Sequence, residues 1–231
     1  MKTSTKVNLI TIAAFFLVGA VLMLIGGAKG NWKKETLFPV TVYEQERYEI
    51  ASSKVQSLDC YVPSANIRLS PSSDNRVRVT YYNSSRGKYA VQVDDRTGEL
   101  TIRYHDKSFL AQYLQVGSKL QKHTLLIELP ADTLTKLNVK TGDGDITLDH
   151  LGAKESVFLT STGGSITLDG LLPAVSTKLT SSNGNISGSL HGSAADFKIT
   201  STDPWLGSFQ DGAMEMTVTS TSGKINLRFL G

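Results

Sequence analysis

A 20-residue repeat in the C-terminal part of the chain constrains the fold more than any other feature of the sequence. Five segments align, and the step between them is 20 residues except for the last, which is 19. Self-similarity at such a fixed period is typical of solenoids and other stacked arrays. The aligned segments are Leu137–Gly152, Val157–Leu172, Thr177–Gly192, Phe197–Gly212 and Met216–Gly231.

Each repeat has the pattern of two short strands joined by a turn. Leu137 and Val139 alternate with polar residues, which indicates a strand with one face in the core. A turn rich in Gly, Asp, Asn, Ser and Thr follows. Two strands in 20 residues leave no room for helices, so the repeat predicts an all-β domain, a β-solenoid or stacked sheets. The second strand is predicted to begin at Ile146, Ile166, Ile186, Leu206 or Ile225.

Two columns of the alignment carry the structural signal. A glycine column in the turn predicts backbone with positive φ, and an apolar column in the first strand predicts the core. The glycine column holds Gly144, Gly164, Gly184 and Gly223, with Pro204 in the fourth repeat. The apolar column holds Val139, Leu159, Leu179, Ile199 and Val218.

The region upstream of the repeats is predicted to continue the domain less regularly, so that the domain spans 51–231 behind a linker at 30–50. Ala65 falls in the glycine column, and the turn at 94–98 favours a hairpin. Further strands are predicted at 76–82, 89–94, 99–105 and 123–129.

The N-terminal segment is predicted to cross a membrane. Residues 7–28 carry no charge, and 22 helical residues span roughly 33 Å. We expect residues 1–29 to form a short cytoplasmic tail and a signal-anchor helix, with the following domain outside the cell membrane. A cleaved signal peptide is the alternative, because Gly26-Gly27-Ala28 loosely fits a small-residue cleavage site.

Composition excludes several classes of protein. The net charge is only +3 and the basic residues are scattered, so nucleic acid is not expected as a partner. The single cysteine, Cys60, lies in an alternating apolar run and is predicted to be a small buried hydrophobic residue. A surface domain without disulfides fits a Gram-positive bacterium.

The sequence predicts neither an active site nor a bound metal or cofactor. No hydrolase, metalloprotease or phosphate-loop motif is present, and His150 and His191 fall in columns that do not share a face. Asp143 and Asp145 resemble a calcium-binding turn, but these acids do not recur in the other repeats. We therefore expect no catalytic residues, no metal ligands and no cofactor.

One segment between the strands is a candidate docking surface. Phe109, Leu110, Tyr113 and Leu114 fall on one face of a short predicted helix within 106–122. The segment is predicted either to cover an open end of the β-stack or to dock onto another membrane protein or the lipid surface.

The repeat units resemble those of a known bacterial group. The stretches TGDGDITLDHLG (141–152) and STGGSITLDGLL (161–172) resemble the β-strand-repeat "putative adhesin" family, which includes LiaG-like membrane-anchored envelope proteins. The resemblance covers about 50–231. It implies a repetitive β domain behind an N-terminal membrane helix, and it carries no catalytic residues over to this chain.

Two functional classes are compatible with these features. The first is a non-enzymatic envelope protein that acts by protein–protein contact, as an accessory or regulator of an envelope-stress or signalling system. The second is an adhesin-like module that binds cell-wall polymer, glycan or an external surface. The short linker after the membrane segment favours the first, because it holds the domain close to the bilayer.

Overall fold

A computed structural model describes residues 42–84, 87–106, 123–131 and 133–231 of the chain. These residues form sixteen strands and three short 3₁₀ helices, Ser52–Lys54, Ala194–Asp196 and Leu206–Ser208. The prediction of an all-β, solenoid-like fold is confirmed. The strands are β1 Tyr43–Ala51, β2 Ser57–Val62, β3 Asn66–Pro71, β4 Arg76–Ser84, β5 Gly87–Asp94, β6 Glu99–Asp106, β7 Thr124–Leu129, β8 Lys136–Thr141, β9 Ile146–Asp149, β10 Ser156–Ser161, β11 Ile166–Leu171, β12 Ser176–Ser181, β13 Ile186–His191, β14 Phe197–Ser201, β15 Met214–Ser220 and β16 Ile225–Leu230.

The strands pair into two eight-stranded sheets. Sheet A has the order β1-β4-β7-β3-β9-β11-β13-β16, and sheet B has the order β14-β15-β12-β10-β8-β2-β6-β5. A complete repeat contributes its first strand to sheet B and its second to sheet A, which makes one coil of the stack. Strands of neighbouring coils pair in parallel and in register, so that Leu159 lies between Val139 and Leu179.

The core is built from the inward columns of both sheets. All five residues of the predicted apolar column are completely buried, and Ile146, Ile166 and Ile186 on the facing sheet are buried as well. Burying a side chain of this size stabilises the fold by about 1.5–3 kcal/mol. The apolar column is therefore confirmed as core.

The coils do not follow chain order throughout the stack. β15 lies between β12 and β14, so the fifth repeat packs on the third and the fourth repeat forms the edge of sheet B. The fourth repeat has no second strand, because the 3₁₀ helix Leu206–Ser208 follows Pro204 instead. The prediction of a strand beginning at Leu206 is therefore wrong, although the Leu206 side chain is buried.

The corner glycines have a different role from the one that the sequence suggests. Positive φ is found at Gly98, Gly170, Gly188 and Gly192, but not at Gly144, Gly164, Gly184 or Gly223. At Gly164 an added methyl carbon would lie 2.1 Å from the carbonyl oxygen of Gly144 in the adjacent coil. The backbones of neighbouring coils approach so closely at this corner that no side chain fits, which is why glycine occupies the column.

Buried hydroxyl groups join successive coils at the same corner. Ser181 Oγ donates a hydrogen bond to the Gly164 carbonyl oxygen (2.9 Å) and accepts one from the Gly184 backbone N–H (2.9 Å). Each hydroxyl thus satisfies two backbone groups that the turn removes from the ladder. The same two bonds are made by Thr141, Ser161 and Ser220.

The strands predicted upstream of the repeats are present as β4 to β7. The Gly98 N–H closes the β5–β6 hairpin by donating a hydrogen bond to the Asp94 carbonyl oxygen.

Sheet A begins at Tyr43, within the segment 30–50 that the sequence predicts to be a linker. Only Tyr48 and Ile50 of β1 pack on the core, and Glu44, Glu46, Arg47 and Glu49 give this strand a polar sequence. Among the described residues no helix is long and apolar enough to span a bilayer, and the predicted membrane segment at 7–28 lies outside them.

Candidate functional site

The predicted docking residues Phe109, Leu110, Tyr113 and Leu114 lie outside the described residues. The part of the chain that is described has a cavity of about 600 Å³. None of the residues that line it carries an acidic or basic side chain, so it provides no group for acid–base chemistry. The lining residues are Ala51, Ser52, Ser53, Val55, Gln56, Asn75, Thr133 and Thr135.

Cys60 is completely buried on β2 between the two sheets. Its burial raises the pKa of the thiol to about 12, because the low-dielectric core disfavours the thiolate. The prediction that Cys60 is a core residue is confirmed. A thiol in this state is a poor nucleophile.

We expect alkylation of Cys60 to be suppressed in the folded chain. Raising a thiol pKa from 9.0 to about 12 lowers the thiolate fraction at pH 8 by about 1000-fold. Iodoacetamide labelling of native and guanidinium-unfolded chain measures this directly, and Cys60 is the single cysteine, so no other thiol contributes. Similar rates in the two states would show that the thiol is accessible.

In the acidic turn at 143–145, Asp145 takes part in hydrogen bonds between coils. Asp145 Oδ1 accepts a hydrogen bond from the Ser165 N–H (2.8 Å), and the Asp145 N–H donates to Asn66 Oδ1 (3.0 Å). The equivalent bonds continue through Asn185 to the N–H of Lys224. Asp145 is thus one member of a ladder of side-chain oxygens, in which serine or asparagine replaces it in other coils.

Two histidines that the alignment separates lie close together in the structure. The rings of His150 and His191 are 6.4 Å apart between centroids, because β11 and β13 change register between Leu168 and Leu171. The expectation that they do not share a face is wrong. His150 Nδ1 lies 2.6 Å from Asp149 Oδ1, and this hydrogen bond, together with the nearby Asp169 charge, raises the pKa of His150.

The outer side of sheet B carries an exposed patch that sequence reasoning did not identify. It combines two aromatic rings, two lysines and two polar side chains, all on neighbouring parallel strands. We call it the basic aromatic face, and it consists of Tyr61, Asn138, Lys140, Phe158, Thr160 and Lys178.

The side chains of the basic aromatic face are available for contact. Tyr61 is 46% exposed and Phe158 is 37% exposed. Lys140 Nζ lies 5.5 Å from the centre of the Tyr61 ring, within the range of a cation–π interaction. Within the described residues neither Lys140 nor Lys178 has an acidic partner within 4.0 Å, so both charges face solvent.

The serine and threonine columns divide into two groups. Ser161, Ser181 and Ser220 are the buried bridging hydroxyls of the corner, whereas Thr160, Thr180 and Thr219 are half-buried on the outer side of sheet B. The outward hydroxyl-bearing side chains are therefore the threonines, which form one row across the strands, and Thr160 of this row belongs to the basic aromatic face.

A solved structure shares the fold of this chain, and a second one shows a weaker similarity. A "putative cell adhesion protein" from Clostridium sporogenes has a TM-score of 0.53 and 10% identity, covering 82% of this chain and 100% of that one. A "putative adhesin" from Bacteroides fragilis has a TM-score of 0.28 and 10% identity, covering 81% of this chain and 97% of that one. No curated protein matches the sequence.

The family model described as Toastrack DUF4097 matches residues 55–230. This range includes β2 to β16 with all the complete coils, the bridging hydroxyls and the basic aromatic face. The chain belongs to the Toastrack DUF4097 family.

Proposed function

We propose that the chain is a non-enzymatic, membrane-anchored envelope protein that acts as an adhesin-like binding module. Its ligand is an anionic, hydroxyl-bearing envelope polymer, held on the basic aromatic face. The observation that carries the proposal is the presence, on one sheet, of exposed aromatic rings beside lysines that have no acidic partner among the described residues. The fold shared with the Clostridium sporogenes "putative cell adhesion protein" supports the adhesin-like part.

The backbone beneath this face is rigid enough to present a fixed pattern. Its residues lie on β2, β8, β10 and β12, the four central strands of sheet B, which are in parallel register with one another. Strands in a sheet are about 4.8 Å apart, so side chains in one row repeat at that spacing. A chain molecule with regularly repeated groups is a suitable ligand for such rows.

The chemistry of the face selects for both charge and ring stacking. Lys140 and Lys178 attract an anionic polymer, and because both are exposed the attraction weakens as salt is added. Tyr61 and Phe158 present aromatic faces against which the apolar side of a sugar ring can pack. Thr160 adds a hydroxyl group, and Asn138, whose amide nitrogen donates to Asp59 Oδ1 (2.9 Å), adds a carbonyl oxygen.

The test compares two faces of the same protein. The full-length chain in detergent micelles is titrated with polymer extracted from cell envelopes, and binding is measured for the parent and for the double variant Tyr61→Ser, Phe158→Ser. We expect an affinity loss on the order of 10-fold or more, equivalent to about 1.4 kcal/mol. Thermal melting of each variant confirms that the sheets remain folded.

Leu126→Ser is the matched control for this experiment. Leu126 is 40% exposed and points outward from sheet A, so its replacement removes a comparable apolar surface from the opposite side. We expect polymer affinity within about 2-fold of the parent, since the site is on sheet B. Equal losses in the control and the double variant would contradict the proposal. Capture of one stoichiometric envelope protein, with no polymer, would favour the protein-contact function instead.

A further inference from the structure

Four potential metal ligands meet on the outer side of sheet A, away from the basic aromatic face. Asp149, His150 and Asp169 each have a potential ligand atom within 4.8 Å of those of the other two. His191 lies beside them, with its ring 6.4 Å from that of His150. These residues lie at the carboxyl ends of β9, β11 and β13, which are neighbours in the sheet.

A register change brings the two histidines together. β11 and β13 are in register up to Leu168 and Gly188, and then Leu171 lies opposite Leu190. β11 therefore has one residue more than β13 in this interval, as in a β-bulge. Leu190 therefore takes the inward place opposite Leu171 and is buried, and His191 turns to the outer face of the sheet, where its Nε2 atom lies close to Gly170.

Gly170 leaves open the space that both imidazoles face. A methyl carbon on Gly170 would lie 3.1 Å from His150 Nε2 and 3.2 Å from His191 Nε2. Both Nε2 atoms thus border the same small volume, where any larger residue at position 170 would stand between them. Gly170 also has φ of 62°, a conformation that disfavours other residues there.

The hydrogen bond on His150 prepares its other nitrogen for a metal. Nδ1 lies 2.6 Å from Asp149 Oδ1, and a carboxylate in this position accepts a hydrogen bond from Nδ1–H, so that the neutral imidazole carries its lone pair on Nε2. This carboxylate–histidine arrangement is the usual support of metal-binding imidazoles. Asp169 adds a carboxylate on the adjacent strand.

We propose that His150, His191 and Asp169 bind a divalent transition-metal ion, with Asp149 orienting His150. Imidazole nitrogen and carboxylate oxygen together suit Zn²⁺, at bond lengths of about 2.0–2.2 Å. His150 and Asp169 are exposed and His191 is half-buried, so small rotations of the two exposed side chains can close the ligands around the ion. A bound ion joins β9, β11 and β13 on the side of sheet A, a role separate from polymer binding.

The test uses the full-length chain, purified through an affinity tag that contains no histidine. Zn²⁺ is titrated in competition with a chromophoric chelator, and thermal unfolding is followed with and without Zn²⁺. We expect one ion per chain and an increase in melting temperature with Zn²⁺, because the ligand binds the folded state. His150→Asn and His191→Gln should each weaken Zn²⁺ binding at least 10-fold and abolish the thermal shift.

His105→Gln is the matched control, since His105 is an exposed histidine on β6 in the other sheet. Its affinity and thermal shift should equal those of the parent. Asparagine is chosen at position 150 because it tolerates the φ of 43° found there. Unchanged binding in both site variants, an equal loss in the control, or no saturable binding by the parent would each overturn the proposal.

Discussion

Replacing Gly164 with alanine is expected to destabilise the domain by about 3 kcal/mol or more. The new methyl carbon would lie 2.1 Å from the Gly144 carbonyl oxygen and 2.4 Å from its carbonyl carbon. Both atoms belong to backbone that is fixed by parallel pairing on either side, so the coils must separate to make room. Urea unfolding of the purified chain measures the loss.

The control for this prediction is Gly207→Ala. At Gly207 an added methyl carbon would have the Ser201 carbonyl oxygen, at 3.8 Å, as its neighbour, and φ is not positive. The same substitution there should change the free energy of unfolding by less than about 1 kcal/mol. If both alanine variants unfold at the same urea concentration, close approach of the coils is not what selects glycine at position 164.

Removing the Ser181 hydroxyl is expected to cost about 2 kcal/mol. Ser181→Ala leaves the Gly184 N–H and the Gly164 carbonyl oxygen without the partner that each has at 2.9 Å. A buried polar group without a hydrogen bond costs about 1–3 kcal/mol. The loss is measured by urea unfolding, together with faster amide exchange of Gly184.

Ser182→Ala is the neighbouring control. Ser182 is only half-buried, and in the described part of the chain its side chain makes no hydrogen bond that joins two coils. We expect a change of at most about 0.5 kcal/mol, as for an ordinary surface substitution. A Ser181 variant that is as stable as the Ser182 variant would mean that water replaces the bridging hydroxyl without loss.

The elements of the fold could be predicted from the sequence because period-two alternation is a local property. Val139, Leu159 and Leu179 each occur at the same place in their repeats, and each is buried. The order of the coils could not be predicted in this way, because an alignment treats all repeats as equivalent. One residue does mark the fourth repeat as different: Pro204 interrupts the glycine column, and this repeat forms no second strand.

The sequence predicts where the corner glycines lie, but not why glycine is required there. A glycine column is compatible with positive φ or with close approach of two backbones, and the structure shows the second. The serine three residues before each of Gly164, Gly184 and Gly223 marks that corner. Its bond to the previous coil joins residues 17 or 36 positions apart, which no local pattern reveals.

The candidate sites depend on contacts across strands, and this explains why sequence reasoning missed them. Phe158 lies beside Lys178, 20 residues later in the chain, because β10 pairs with β12. Taken alone, each is an ordinary outward residue of an alternating strand. His150 and His191 meet through one register change. An alignment that keeps a strict 20-residue period places them in different columns.

Hydroxyl-radical footprinting with and without envelope polymer tests the central claim most directly. The account predicts that oxidation of Tyr61 and Phe158 falls when polymer binds the full-length chain, while Leu126 and Trp205, which is 61% exposed, are oxidised as before. The result that would contradict it is unchanged oxidation of Tyr61 and Phe158 with protection elsewhere. Protection of Phe109 and Tyr113 in particular would place the contact on the segment 106–122 instead.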